Sequence, residues 1–150
     1  MNRIGLIVNP VAGIGGRVGL KGSDGVETQR RALELGAIPE SLQRATLSLI
    51  PLLDLRDMLE VVTFPSEMGE TSAREAGFTP NVIGEITSGS TTAEDTRRAV
   101  NKMSALGVDL ILFAGGDGTA RDVCSAIPPR FPCLGIPTGV KIHSAVYATN

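Results

Sequence analysis

The chain has 150 residues, of which 42% are hydrophobic and 20% charged, a globular balance that excludes a disordered chain. Its net charge of −2 supplies no basic field for a polyanion. Four Phe, one Tyr and no Trp leave few platforms for stacking bases, so nucleic acid is excluded as a partner. Residues 4–8 (Ile4-Gly5-Leu6-Ile7-Val8) are a continuous apolar run, read as a buried strand that Asn9-Pro10 ends. That run is too short for a signal-peptide core, and residues 108–114, the longest other apolar run, fall far short of a membrane span. No membrane partner is expected. Residues 9–25 form a glycine-rich loop carrying Gly13, Gly15, Gly16, Gly19, Gly22 and Gly25.

Asp24 and Glu27 are spaced as a capping box for a helix that ends at Gly36. A second helix starts near Pro39-Glu40-Ser41, with Leu42, Ala45, Leu49 and Leu52/Leu53 on one side, until Pro51 disturbs it. Residues 59–64 read as a strand, residues 67–76 as a short polar helix closed by Gly77, and residues 81–86 as a strand that Gly84 weakens. Thr91 and Glu94 are spaced as a capping box opening a helix to Leu106, with Gly107 as its stop. Residues 108–114 are the strongest strand. After them a helix is expected from about Ala120 to Ile127, with Ala120, Val123, Cys124 and Ile127 inward. Residues 133–136 are a last strand, followed by the turn Pro137-Thr138-Gly139. This alternation predicts an α/β fold with three α/β/α layers and a mostly parallel sheet. Cys124 and Cys133 are too few for a disulfide framework and are read as buried thiols in a reduced cytoplasm. The single histidine, His143, excludes sites that need two imidazoles.

In such a fold, ligands sit at the carboxyl ends of the strands. Three strand-ending turns are dense in glycine. The first runs from Asn9-Pro10 through Gly13 to Gly16, matching neither a Walker loop nor G-x-G-x-x-G. It reads either as a flexible surface loop or as a set of amides turned toward an anion. The second is Gly115-Gly116-Asp117-Gly118-Thr119, between a strand and a helix. Its glycines let a phosphate or ribose approach the main chain, and Thr119 is placed to cap the helix with Asp122 as its partner. Asp117 is the one ionisable group in that turn, suited to orient or deprotonate a hydroxyl, or to hold a metal ion directly or through water. The third turn carries Thr138, Gly139 and Lys141. It should lie on the strand next to the second turn, with Lys141 either neutralising phosphate or simply solvated, and His143 either lining the site or structural.

The motif Gly115-Gly116-Asp117-Gly118-Thr119 after an apolar strand resembles the signature shared by NAD kinases, diacylglycerol-type lipid kinases and 6-phosphofructokinases. The opening Ile7-Val8-Asn9-Pro10 with Ala12-Gly13 resembles the N-terminal segment of the same superfamily. Residues 8–16 and 137–150 look most like the ATP-NAD kinase-like branch, which also includes proteins linked to acetoin catabolism. The resemblance spans essentially the whole chain.

The resemblance implies a Rossmann-like fold that binds ATP and NAD. It implies Asp117 beside the ribose 2′-hydroxyl, as general base or orienting group, and Gly115, Gly116 and Gly118 at the nucleotide phosphates. Asn9, Pro10, Gly13, Thr119, Thr138, Gly139 and Lys141 complete the expected binding set. The resemblance also implies Mg²⁺ accompanying ATP, and no residue is assigned as a metal ligand. Polyphosphate is an alternative donor. Members of the family continue into a second, β-rich domain, so residues 1–150 are read as the N-terminal domain of a two-domain kinase, weakly active or inactive alone and prone to homo-oligomerise through an uncovered edge. A lipid or small-alcohol kinase and a non-catalytic nucleotide-binding remnant are the competing readings. The third turn, Pro137-Thr138-Gly139-Val140-Lys141, departs from the Gly-Thr-Gly-Asn-Asp of lipid kinases.

Overall fold

In the computed structural model, residues 1–14, 26–36, 39–138 and 142–147 are described. The predicted cap at Asp24, the glycines at 15, 16, 19, 22 and 25, and the site candidates Gly139 and Lys141 lie outside them. The elements in chain order are strand β1 (Asn2–Val8), helices α1 (Val26–Glu34) and α2 (Ser41–Leu49), a 3-10 segment (Ile50–Leu55) and β2 (Leu59–Thr63). A 3-10 turn (Ser66–Met68), α3 (Glu70–Glu75), β3 (Asn81–Val82), α4 (Ala93–Leu106), β4 (Leu110–Gly115), α5 (Asp117–Ala126) and β5 (Cys133–Pro137) follow.

The strands form one sheet of order β3-β2-β1-β4-β5, with every pairing parallel. From β1 the chain builds outward to β3, then crosses back and builds outward on the other side. The order therefore reverses between β1 and β4, which pair from Ile4–Leu110 to Val8–Ala114. In a doubly wound sheet the carboxyl ends at such a reversal open the crevice where ligands bind.

Alternating strand residues build two cores, one on each face. Ile7, Val62, Ile111 and Phe113 pack with Val100 and Met103 of α4 and Val123 of α5. Leu6, Val8, Val61, Leu112 and Ala114 pack on the opposite face with Ala45 and Leu49 of α2 and Ala73 of α3. Helices on both faces explain why β1 and β4 read as near-continuous apolar runs rather than alternating ones. The result is the predicted three-layer α/β/α fold.

Several boundaries moved, each for a local reason. The second helix does not continue to Leu53: Pro51 sits in the first turn of the 3-10 segment, where its missing N–H costs least. The polar helix predicted over residues 67–76 splits at Gly69, whose φ of 140° is open to glycine. The strand predicted over residues 81–86 shortens to Asn81–Val82. The box of α4 lies one residue later than expected: Thr92, not Thr91, is the N-cap, and its N–H and Oγ1 donate to the Asp95 carboxylate at 2.8 and 3.0 Å. Glu94 pairs with Arg97 instead. Among the described residues no helix is long and apolar enough to cross a membrane.

Candidate functional site

The crevice between β1 and β4 is knitted together by Asn9. Its backbone N–H donates to the Ala114 carbonyl at 2.9 Å, so β1 and β4 stay paired to their carboxyl ends. Its Nδ2 donates to Thr119 Oγ1 at 2.9 Å, while its Oδ1 accepts from the Val11 N–H at 3.3 Å and folds the following turn. Pro10 lies in that turn, and Gly13 takes a φ of 76° to continue it. Thr138, immediately after β5, donates its N–H to the Gly115 carbonyl at 3.2 Å. Asn9 is thus bonded to Ala114 and Thr119, and Thr138 to Gly115, at the ends of the adjacent strands β1, β4 and β5.

The role expected of Thr119 is corrected. Helix α5 begins at Asp117, not near Ala120, and Gly116 is its N-cap. Thr119 falls in the third helical position, buried, with its hydroxyl bound to Asn9. Asp122 is no capping partner: its Oδ1 pairs with Arg97 Nη1 of α4 at 2.7 Å. The early start follows from the pair of small residues at 115 and 116. A Cβ on Gly115 would lie 2.4–2.6 Å from the Thr119 side chain, so only glycine lets the first turn close against the end of β4. A Cβ on Gly116 would meet nothing within 4 Å, leaving open space in front of the helix end. The amides of Asp117, Gly118 and Thr119 precede the first helical bond, Ala120 N to Gly116 O, and find no acceptor among the described residues.

Asp117 occupies the first helical position, where the helix dipole favours a negative charge. Its carboxylate reaches forward to the segment after β5. Oδ1 accepts from Ser144 N at 3.0 Å and Ser144 Oγ at 2.8 Å, and Oδ2 accepts from His143 N at 2.9 Å. Burial alone would raise its pKa, but the Ser144 hydroxyl, the two amides and the nearby His143 ring outweigh it and hold the carboxyl below the usual aspartate range. The segment is itself anchored to the sheet. Gly135 N donates to Val146 O at 2.7 Å, and the Tyr147 ring meets Phe113 edge-on with centroids 5.6 Å apart. Any Cβ on Gly135 would strike the Tyr147 ring at 2.5 Å, so glycine is required at that crossing. Burial, then the Asp117 charge, raises the Tyr147 phenol well above its ordinary range.

Beside Asp117 an open cavity of about 420 Å³ is lined by Asp117, Ala120, Arg121, Cys124, His143, Ser144 and Val146. It lies between α5 and the segment after β5, and Asn9 and Thr119 are not in its wall. Arg121 forms no ion pair among the described residues, so it is a cation available to an anion beside the helix end. Of the two readings open for His143, it is found on the cavity wall, while its bond to Asp117 comes from the main chain and not the ring. Cys124 is exposed on the cavity wall rather than inward and buried; Cys133 is half-buried, and burial followed by the neighbouring Cys124 raises its thiol pKa. The expectation of two buried thiols is corrected for that reason.

Arg121, Cys124 and the Ser144 contact were missed from the sequence. With the helix started at Asp117, residues 117, 120, 121 and 124 fall at i, i+3, i+4 and i+7, the spacing of one helical face. That signal could have found the cavity wall. Nothing local could have found Ser144, which lies 27 residues from Asp117.

Among the described residues no three His, Cys, Asp or Glu side chains gather as a metal cage. A Mg²⁺ that keeps its water and phosphate ligands needs at most one or two carboxylates, and Asp117 is the carboxylate in this turn.

The family model described as the ATP-NAD kinase N-terminal domain matches residues 4–150. No curated protein matches the chain.

Proposed function

The chain belongs to the ATP-NAD kinase N-terminal domain family, and from that premise we propose that it supplies the phosphate-binding turn and the hydroxyl-orienting carboxylate for phosphoryl transfer from ATP to the 2′-hydroxyl of NAD. The observation that carries this reading is the end of α5. Three amides with no acceptor among the described residues, open space in front of Gly116 and one ionised carboxylate meet there, with Arg121 on the neighbouring wall. Phosphoryl transfer asks the protein mainly to align the groups in line and neutralise phosphate charge. Helix-end amides and Arg121 suit the charge, and Asp117 suits the acceptor hydroxyl.

Gly115, Gly116 and Gly118 are the residues we assign to close approach of phosphate, and Gly13, Gly139 and Lys141 remain in the proposed binding set. Asn9, Thr119 and Thr138 act by holding the strand ends in shape, and Pro10 by turning the chain out of β1. Mg²⁺ bound to ATP would neutralise charge on the transferring group. The cavity is open to solvent on one side. We infer that a second, β-rich domain, of the kind the resemblance implies, closes it over the nucleotide.

The test is formation of NADP from NAD and Mg-ATP, followed with an NADP-specific reporter enzyme. Asp117→Asn should lower turnover by roughly 10²-fold or more. Undiminished turnover in that variant would remove Asp117 from the reaction, and phosphorylation of a lipid alcohol instead of NAD would replace the acceptor.

A further inference from the structure

A carboxylate has about four lone-pair positions, two on each oxygen. In Asp117 three are taken by this chain: Ser144 N and Ser144 Oγ fill Oδ1, and His143 N takes one position on Oδ2. Among the described residues nothing fills the second position on Oδ2, and Asp117 lines the cavity. The donors are not loose. Val146, two residues beyond Ser144, is bonded to Gly135 of β5, and Tyr147 is wedged against Gly135 and Phe113. The clamp on Asp117 is therefore backed by the sheet.

We propose that Ser144 is a positioning residue: with the His143 amide it fixes the Asp117 carboxylate so that only the second Oδ2 position receives the acceptor hydroxyl. This rests on the kinase reading above and assigns within it a role to a residue outside the glycine motif. A carboxylate holding three hydrogen bonds is a weak base, so Asp117 orients the hydroxyl and keeps its own charge. In the transfer the hydroxyl oxygen bonds to phosphorus, the bond from phosphorus to the departing diphosphate oxygen breaks, and the hydroxyl proton leaves to water. Fixing the carboxylate matters because positioning dominates this chemistry.

The groups facing Asp117 are Arg121 and Cys124 from α5, and the His143 ring and Tyr147 from the segment after β5. None of them duplicates the Ser144 hydroxyl bond to Oδ1.

The experiment is a carboxyl ¹³C NMR titration of Asp117 in wild type, Ser144→Ala and Ser144→Thr, with the pH profile of NADP formation measured on the same proteins. Wild type should titrate below the ordinary aspartate range. Ser144→Ala should move the midpoint upward and lower kcat roughly ten- to a hundredfold, with KM for ATP little changed. Ser144→Thr, which keeps the hydroxyl, should restore both. An Asp117 titration in Ser144→Ala that overlays the wild type would overturn the proposal. So would a shifted titration accompanied by undiminished kcat. If the midpoint moves but no protein, wild type included, makes NADP, the kinase reading fails while the Ser144–Asp117 coupling stands, so the two failures are separable.

Discussion

At the scale of single residues, neighbouring glycines in one turn are there for different reasons. Gly115 is demanded by the protein itself, because a Cβ would enter the Thr119 side chain, and Gly135 is demanded by the Tyr147 ring. Gly116 is free of such contacts. Chemical denaturation should therefore show Gly115→Ala and Gly135→Ala each losing about 1–3 kcal/mol of stability by overpacking. Gly116→Ala should lose less than about 1 kcal/mol, yet weaken ATP binding by calorimetry, since its methyl would fill the space in front of the helix end. Equal destabilisation by all three would mean that Gly116 is structural too. The cysteines give a second residue-scale contrast. Cys124 is exposed on the cavity wall, whereas Cys133 is half-buried with a raised thiol pKa. Iodoacetamide followed by mass spectrometry should label Cys124 first, and bound nucleotide should slow it. Preferential labelling of Cys133 would contradict the geometry.

At the scale of elements, the strand and helix alternation was legible because each buried strand is an apolar run bounded by Gly, Pro or Asn. The ends were harder to read. Gly116 and Gly118 have poor helix propensity, so α5 seemed to start near Ala120, although tertiary contacts of Thr119 with Asn9 and Gly115 start it at Asp117. In α4 the sequence was read as a box of Thr91 and Glu94, and the box that formed uses Thr92 and Asp95, one residue later. Asp95→Ala should cost about 1 kcal/mol in thermal or denaturant unfolding, and Glu94→Ala, which loses only an exposed pair with Arg97, under about 0.5 kcal/mol. The reverse order would restore the box at Thr91. Of the site, the Asp117 turn was visible as a local pattern of glycines after a strand. Its partners were not, because Ser144 and His143 return to Asp117 only through the β5 connection, which no short-range spacing encodes.

At the scale of the whole molecule, the carboxylates held by hydrogen bonds and ion pairs set the acid limit. Glu60 is held below its ordinary pKa chiefly by the Asn81 amide, and then by Arg3, across β2, β3 and β1. Glu70 is lowered by the Ser66 amide and Arg74. In Glu67 and Asp117 hydrogen bonds from Gly89 and Ser144, among others, outweigh burial. A depressed folded-state pKa means that these groups contribute stability above the unfolded-state value, near 4, and lose it as the pH falls through the folded-state values. Denaturant midpoints should be level from about pH 7 to 5 and decline below about pH 4. A midpoint that rises on acidification would contradict these assignments.

At the same scale, the proposed nucleotide site is the reversal of strand order, between the ends of β1 and β4 and beside the cavity along α5. The most direct test is an amide NMR titration of the chain with ATP and with NAD. Shifts centred on Gly116–Thr119, Arg121 and His143–Ser144, lost in Asp117→Asn for NAD, are the predicted result. Shifts confined to the opposite, amino-terminal ends of the strands, or none with either nucleotide, would contradict it.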